Sequence, residues 1–217
     1  MKTGILFDLD GTLLSTLEDL QDAVNYTMKF YNCPERTLEE VRTFVGYGAK
    51  HLLQSALPGR ENDPPLDEVM ATYQAYYATH CKIKTRPYEG ILEALQAISG
   101  EFPIAIVSNK PDIATKPLCW DYFGGEIFAL GQSDALPKKP APDMLFAAMK
   151  EIGADRCIYV GDSEVDVQTA KNAGMPCLSV LWGFRDKECL TEHGANHFCD
   201  DPKNLLYCLK EMVENGQ

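Results

Sequence analysis

Two carboxylates follow an apolar run near the start of the chain, where they could share a cation. Residues 5–14 read ILFDLDGTLL, so Asp8 and Asp10 lie between the apolar run and a Gly-Thr break. Such a run favours a buried strand of a parallel sheet, and ligands of open α/β sheets bind just beyond the carboxyl ends of the strands. Two carboxylates this close repel each other unless a cation or a proton lies between them. The alternative is a plain acidic turn after a strand.

Polar side chains also follow three later segments that favour strands. They are Ser108 and Asn109, then Lys139 on a proline-rich loop, then Asp162 with Asp166 four residues further on. Because parallel strands end at the same edge of a sheet, we expect these groups to meet the first two carboxylates there. Ser108 and Asn109 could instead form a simple turn.

The expected cluster suits phosphoryl transfer assisted by a metal. Several carboxylates around a cleft favour a hard cation such as Mg²⁺, which takes carboxylates, waters and substrate phosphate. A carboxylate such as Asp8 can also act as a nucleophile and form an aspartyl phosphate. Lys139, Ser108 and nearby backbone N–H groups would neutralise the phosphoryl oxygens. Asp10 would then protonate the leaving oxygen and later take a proton from water.

The elements that must position these groups divide the chain in two. Residues 15–85 show only helical patterns, and capping boxes are predicted at Ser15–Glu18 and Thr37–Glu40. Strand and helix patterns alternate from residue 87 onward, which favours a parallel sheet. We therefore predict an α/β fold with a Rossmann-like parallel sheet core, residues 1–14 and 86–217, and an inserted all-helical cap domain, residues 15–85. Hinges are expected near Leu14–Ser15 and Lys84–Pro87.

The composition of the chain indicates which kinds of partner it binds and in which compartment of the cell it lies. The net charge of −12 argues against nucleic acid, and no stretch approaches the ~20 apolar residues of a membrane span. We expect a cytoplasmic protein whose eight cysteines, none in a Cys-x-x-Cys pair, are mostly small buried residues. A weaker alternative is a zinc site formed by Cys189, His193, His197 and Cys199.

Four segments resemble the motifs of the haloacid dehalogenase-like hydrolases, in the order of that family. They are Phe7-Asp8-Leu9-Asp10-Gly11-Thr12, Val107-Ser108-Asn109, Lys139-Pro140 and Gly161-Asp162-Ser163-x-x-Asp166. The Asp-x-Asp form resembles the phosphatase and phosphomutase branches rather than the dehalogenases. The helical insertion resembles the cap of the subgroup that contains phosphoglycolate phosphatase and β-phosphoglucomutase.

The resemblance implies a role for each motif residue. Asp8 would be the nucleophile, and Asp10 the general acid/base that also gives its backbone carbonyl to the metal. The implied phosphate-binding residues are Thr12, which would also steady the first loop, Ser108, Asn109 and Lys139. The implied Mg²⁺ ligands are Asp8, Asp10, Asp162 and Asp166. Two alternatives stay open: Lys138 or Lys110 could take the place of Lys139, and Asp166 could mainly be a charge at a helix N-terminus.

Residues 42–50 resemble the specificity segment of phosphoglycolate phosphatase caps. Arg42, Gly46 and Lys50, with His51, are candidates to meet a carboxylate or second phosphate of the substrate, or they lie on a solvated face. The resemblance implies a Mg²⁺-dependent phosphatase of a small phosphorylated metabolite, such as phosphoglycolate, that works as a monomer or homodimer. The alternatives are a phosphomutase of the β-phosphoglucomutase type, a pyrophosphatase, a nucleotidase or a non-catalytic binding protein.

Overall fold

A computed structural model describes residues 1–59 and 63–216 of the chain. The chain divides into two compact units. Unit 1 comprises Met1–Leu14 and Pro87–Gln217, and unit 2 comprises Ser15–Arg86. The polar groups that follow the strands all belong to unit 1.

A six-stranded parallel sheet forms the centre of unit 1. Its strands are Thr3–Phe7 (β1), Ile104–Pro111 (β4), Phe128–Gln132 (β5), Arg156–Gly161 (β6), Cys177–Val180 (β7) and His197–Cys199 (β8). They lie in the order β5-β4-β1-β6-β7-β8. Two shorter strands, Leu14–Ser15 (β2) and Arg86–Pro87 (β3), pair separately.

Strand β1 lies between β4 and β6, which places the first motif at the middle of the sheet. Phe7, the last residue of β1, aligns with Ile106 of β4 and Val160 of β6. All five residues of β1 are buried, as expected for a strand covered on both faces. The sheet order reverses at this strand, and such a switch point is where open α/β sheets bind ligands.

Helices connect the strands of unit 1, so the predicted α/β fold is confirmed. The sequence patterns located these helices except the short one at Lys187–Glu192, which begins after the capping residue Asp186. The helices of this unit are Ile91–Ser99 (α5), Asp112–Phe123 (α6), Asp143–Glu151 (α7), Glu164–Ala173 (α8), Lys187–Glu192 (α9) and Leu205–Glu214 (α10), with a 3₁₀ turn at Pro202–Asn204.

The described residues of unit 2 form helices joined by loops, together with Ser15 of β2 and Arg86 of β3 at its two ends. The capping box of Thr37 and Glu40 is present at the start of the second helix. The box predicted at Ser15–Glu18 is wrong: the first helix begins after Thr16, whose side chain makes no capping hydrogen bond. The helices are Leu17–Phe30 (α1), Leu38–Phe44 (α2), Ala49–Ala56 (α3) and Leu66–His80 (α4).

The cysteines are free thiols, and five of the eight are buried, as expected for small core residues. Over residues 1–59 and 63–216, the longest and most apolar helices still fall short of what is needed to cross a membrane.

Candidate active site

The loop after β1 brings Asp8 to the carboxyl edge of the sheet. Its backbone N–H continues the parallel pairing by donating to Val160 O at 2.8 Å. The chain then turns through Gly11, whose φ of 89° lies in the left-handed region. A Cβ at Gly11 would collide with the carboxylate of Asp162. Glycine is therefore required here for both its conformation and its small size.

Lys139 is the centre of the polar cluster. Its Nζ donates to Asp8 Oδ1 at 2.7 Å, to Tyr159 OH at 2.8 Å and to Asp166 Oδ1 at 2.8 Å. The side chain is only 2% exposed. Burial alone would lower the pKa of the ammonium, but Asp166 and Asp8 raise it, so Lys139 stays charged. The structure thus pairs Lys139 with Asp8.

Asp166 is saturated with protein donors. Its Oδ1 accepts from Lys139 Nζ at 2.8 Å and Tyr159 OH at 2.9 Å. Its Oδ2 accepts from the backbone N of Ser163 at 3.1 Å and from Ser163 Oγ at 2.6 Å, which closes the capping box of α8. Burial opposes its ionisation, but Lys139 lowers the pKa of Asp166 below its usual value. A carboxylate offers about four acceptor positions, and all of them are used here.

Asp162 differs from Asp166 because its oxygens keep acceptor capacity. Thr12 Oγ1 donates to Oδ1 at 3.0 Å, and Phe184 N donates to Oδ2 at 2.8 Å. Each oxygen therefore retains one acceptor position for another partner. The predicted phosphate ligand Thr12 has its hydroxyl proton directed to Asp162, so this side chain steadies the Asp162 carboxylate.

Asp8, Asp162 and Asp166 form a group that could hold a metal ion. One oxygen from each lies within 4.8 Å of the others, and all three side chains are buried. Burial raises the pKa of Asp8 to about 7, with Lys139 opposing the rise and Asp166 adding to it. Burial also raises the pKa of Asp162 well above its usual value, and Asp166 adds to that rise. The site holds more negative than positive charge, and this favours the binding of a cation.

The alternative zinc site is not supported. Among the residues that the structure describes, the acidic trio is the metal-capable group, and the cysteines and histidines of positions 189–199 do not form one. His193 Nδ1 instead lies 2.8 Å from the backbone oxygen of Cys189.

Asp10 pairs with a second buried lysine. Lys110 Nζ lies 2.9 Å from Asp10 Oδ1, in an ion pair that lacks the geometry of a hydrogen bond. Their side chains are 4% and 12% exposed, respectively. Lys110, which was an alternative to Lys139 as the lysine of the site, therefore lies at Asp10, the second carboxylate of the Asp-x-Asp motif.

The two predicted phosphate ligands at the end of β4 have different surroundings. Ser108 Oγ accepts from the backbone N of Lys110 at 3.1 Å, and its own proton has no acceptor within the described part of the chain. Asn109 Nδ2 donates to Lys139 O, and Lys139 N donates to Asn109 Oδ1, both at 2.9 Å. The Asn109 side chain thus holds the loop that carries Lys139, called the lysine loop below. Ser108 is left as the hydroxyl available to a phosphate.

Sequence reasoning missed Tyr159 and the segment that follows β7. Trp182 Nε1 donates to Thr12 O at 2.9 Å, and Phe184 N binds Asp162. A Cβ at Gly183 would collide with Asp162, so this segment lies directly against the acidic group. A tyrosine in the apolar run of residues 157–160 was the available signal, because a buried hydroxyl requires a partner.

The residues predicted to confer specificity lie in unit 2. Arg42 is half-buried on α2, and Lys50 is exposed in the first turn of α3. Gly46 has a φ of 124°, in the region that favours glycine. His51 Nδ1 lies 3.2 Å from a backbone carbonyl of α2. That these residues contact substrate stays a prediction.

Comparison with known proteins identifies the family. The sequence model of the haloacid dehalogenase-like hydrolases matches residues 5–180. A phosphoglycolate phosphatase of Colwellia psychrerythraea is 33% identical over an alignment that covers 96% of this chain and 97% of the relative. A phosphoglycolate phosphatase of Thiobacillus denitrificans is 35% identical over 202 residues, which cover 87% of each chain.

A solved structure agrees with this assignment. It comes from Lactobacillus delbrueckii subsp. bulgaricus and is provisionally described as a phosphoglycolate phosphatase. It has a TM-score of 0.85 and 34% identity, and the match covers 94% of this chain and 97% of that one. The chain belongs to the haloacid dehalogenase-like hydrolase family.

Proposed function

We propose that this protein is a Mg²⁺-dependent phosphatase that hydrolyses a small phosphorylated metabolite through an aspartyl phosphate. One observation carries the proposal: Asp8 has one oxygen fixed and one available. Lys139 binds Oδ1 at 2.7 Å, while Oδ2 accepts no hydrogen bond within the described residues. A buried carboxylate oriented in this way suits attack on phosphorus.

Charge supports the use of a divalent cation. The site gathers four carboxylates, while Lys110 and Lys139 supply two ammonium groups. With Asp10 protonated for its role as acid, the three other carboxylates still exceed the two ammonium groups by one negative charge, which favours binding of a cation. Asp8 and Asp162 would hold the ion with their free oxygen positions, Asp10 would add its backbone carbonyl, and the saturated Asp166 would stand behind them. The metal would neutralise the phosphoryl oxygens.

The residues of the chain supply the remaining chemistry. Asp8 Oδ2 would form a bond to phosphorus as the P–O bond of the ester breaks. Asp10 would give its proton to the leaving oxygen, using Oδ2 because Lys110 lies at Oδ1. Water would then attack the phosphorus of phospho-Asp8 and pass a proton to Asp10, which releases phosphate and regenerates Asp8. Ser108 would donate its free proton to the transferring group.

Phosphoglycolate is the first substrate to test. The relatives named phosphoglycolate phosphatase support it, and so does the resemblance of residues 42–50 to the cap segment of such enzymes. We propose Arg42 and Lys50 as candidates for the carboxylate of that substrate. A cytoplasmic location and a monomeric or homodimeric state stay predictions.

The test is phosphate release from a panel of phosphorylated metabolites, measured with Mg²⁺ and again with excess chelator. The panel contains phosphoglycolate, hexose phosphates, nucleoside monophosphates and pyrophosphate. Metal-dependent release that is strongest for phosphoglycolate supports the proposal. Isomerised sugar phosphate without phosphate release would support the phosphomutase instead, and no turnover of any compound would contradict both.

A further inference from the structure

A buried tyrosine hydroxyl lies among the charged groups of the site, although the mechanism above does not use it. Tyr159 is on β6, and its side chain is fully buried. Its OH accepts a hydrogen bond from Lys139 Nζ at 2.8 Å and donates one to Asp166 Oδ1 at 2.9 Å. Asp166 Oδ1 also binds Lys139 Nζ at 2.8 Å, so the three side chains form a closed triangle.

We infer that Tyr159 is a positioning residue that fixes the Lys139 ammonium against Asp8. The inference rests on the proposed function, because Lys139 acts there by orienting the nucleophile. A phenol has one proton, and Asp166 accepts it. The hydroxyl therefore presents a lone pair, and not a proton, to Lys139.

The ammonium is held by three acceptors that match its three protons. They are Asp8 Oδ1, Tyr159 OH and Asp166 Oδ1, at 2.7–2.8 Å. Each contact adds to the energy needed to rotate the ammonium about the Cε–Nζ bond, so the third contact holds the proton that faces Asp8 more firmly than two would. The hydroxyl thus sets the position of Lys139 and, through it, the attacking carboxylate.

A neutral acceptor suits this place better than a third carboxylate. The site already has more carboxylates than ammonium groups, and further buried negative charge would be costly. Tyr159 satisfies the third proton of Lys139 without adding charge. It also supplies Asp166 with a donor, so one hydroxyl satisfies two buried charged groups.

Tyr159→Phe tests the inference, because it removes the hydroxyl and keeps the ring. We expect kcat to fall by about 10- to 100-fold, since small misplacement of reacting groups has effects of this size. KM should stay within about threefold, because Tyr159 is not proposed to touch substrate. Tyr77→Phe is the control: it removes a hydroxyl from a tyrosine that is only 5% exposed, in unit 2. This control should keep the kcat of the unchanged protein.

Two further measurements separate positioning from a general effect on the fold. The first is the ¹⁵N-correlated NMR signal of the Lys139 ammonium, assigned by its loss in Lys139→Ala. It should disappear or broaden in Tyr159→Phe and persist in Tyr77→Phe. The second adds Tyr159→Phe to Lys139→Ala, where removing the hydroxyl should change the residual kcat by less than about twofold, because coupled residues are not additive.

The inference and the proposed function can fail separately. If the unchanged protein hydrolyses no phosphate ester, the proposed function fails, while the ammonium signal still decides whether Tyr159 holds Lys139. An unchanged ammonium signal in Tyr159→Phe would overturn the inference. An unchanged kcat, or a full additional loss in the Lys139→Ala background, would also overturn it.

Discussion

The side chain of Asn109 and the backbone of Lys139 exchange two hydrogen bonds of 2.9 Å each. Both residues are buried, at 4% and 2% exposure. The carboxamide thus pairs with the lysine loop as a neighbouring strand would, and it joins the end of β4 to the residue that contacts Asp8. The residue after Ser108 therefore supports the site through its side chain.

Asn109→Ala should lower kcat by about 10- to 100-fold, because the lysine loop loses the contact that places Lys139. Two backbone polar groups are also left without partners, so the melting temperature should fall. Asn172→Ala is a matched control, because its Nδ2 donates to Pro140 O of the same loop at 2.8 Å from an exposed position. Equal kcat losses in the two variants would show that Asn109 has no special role in placing Lys139.

Asp8→Asn should abolish turnover and leave the fold intact. The raised pKa of Asp8, about 7, has a further consequence for the metal-free protein. Because the folded state favours the protonated carboxyl, this group reduces stability once it is charged, and a neutral amide avoids that cost. In chelator at about pH 8, the variant should melt at the same temperature as the unchanged protein or higher. If Asp8→Asn turned substrate over at a rate close to that of the unchanged protein, Asp8 would be excluded as the nucleophile.

The stability of the metal-free protein should depend on pH in a defined window. The pKa of Asp8 rises from 3.8 to about 7 on folding, so the stability it contributes is complete below pH 3.8 and is lost as pH rises through about 7. The raised pKa of Asp162 acts in the same direction. The pKa of Asp166 is lowered on folding, so the stability that this group contributes is lost only as pH falls below the usual pKa of an aspartate. Melting temperatures in chelator should therefore decrease from about pH 5 to about pH 8.

Mg²⁺ should reverse this trend, because it binds the deprotonated carboxylates. The rise in melting temperature on adding Mg²⁺ should be larger at about pH 8 than at about pH 6, where protons compete for Asp8. Asp8→Asn, which removes one proposed ligand, is the control and should show a much smaller rise. Equal shifts at both pH values would mean that the bound ion does not compete with these protons.

The sequence predicted the parts of the site that depend on strand ends. Asp8, Ser108, Asp162 and Lys139 each follow or approach an apolar segment at the same edge of a parallel sheet, so topology alone brings them together. Helical spacing also runs through residues 15–85 without a strand pattern, and this is the basis of the predicted helical insertion. The predicted start of its first helix is wrong, because Ser15 and Glu18 have the spacing of a capping box but the helix begins after Thr16.

The supporting contacts could not be predicted because they join distant residues through single atoms. Trp182 reaches Thr12 across 170 positions, and Lys139 reaches Tyr159 across 20. Spacing gives no sign that Thr12 would direct its hydroxyl to Asp162, or that Asn109 would face a backbone rather than a phosphate. These outcomes depend on which acceptors remain unsatisfied after packing, and that is a property of the folded site.

The segment after β7 should control metal binding through its close approach to Asp162. A Cβ at Gly183 would collide with that carboxylate, so Gly183→Ala must displace either the segment or the acid. We expect a Mg²⁺ concentration for half-maximal activity that is about 10- to 100-fold higher, the range found when groups that orient metal ligands are altered. Gly100→Ala is the matched control, because its Cβ would make only an ordinary contact at 3.5 Å. If Gly183→Ala kept the Mg²⁺ dependence of Gly100→Ala, Asp162 would either tolerate displacement or take no part in binding the ion.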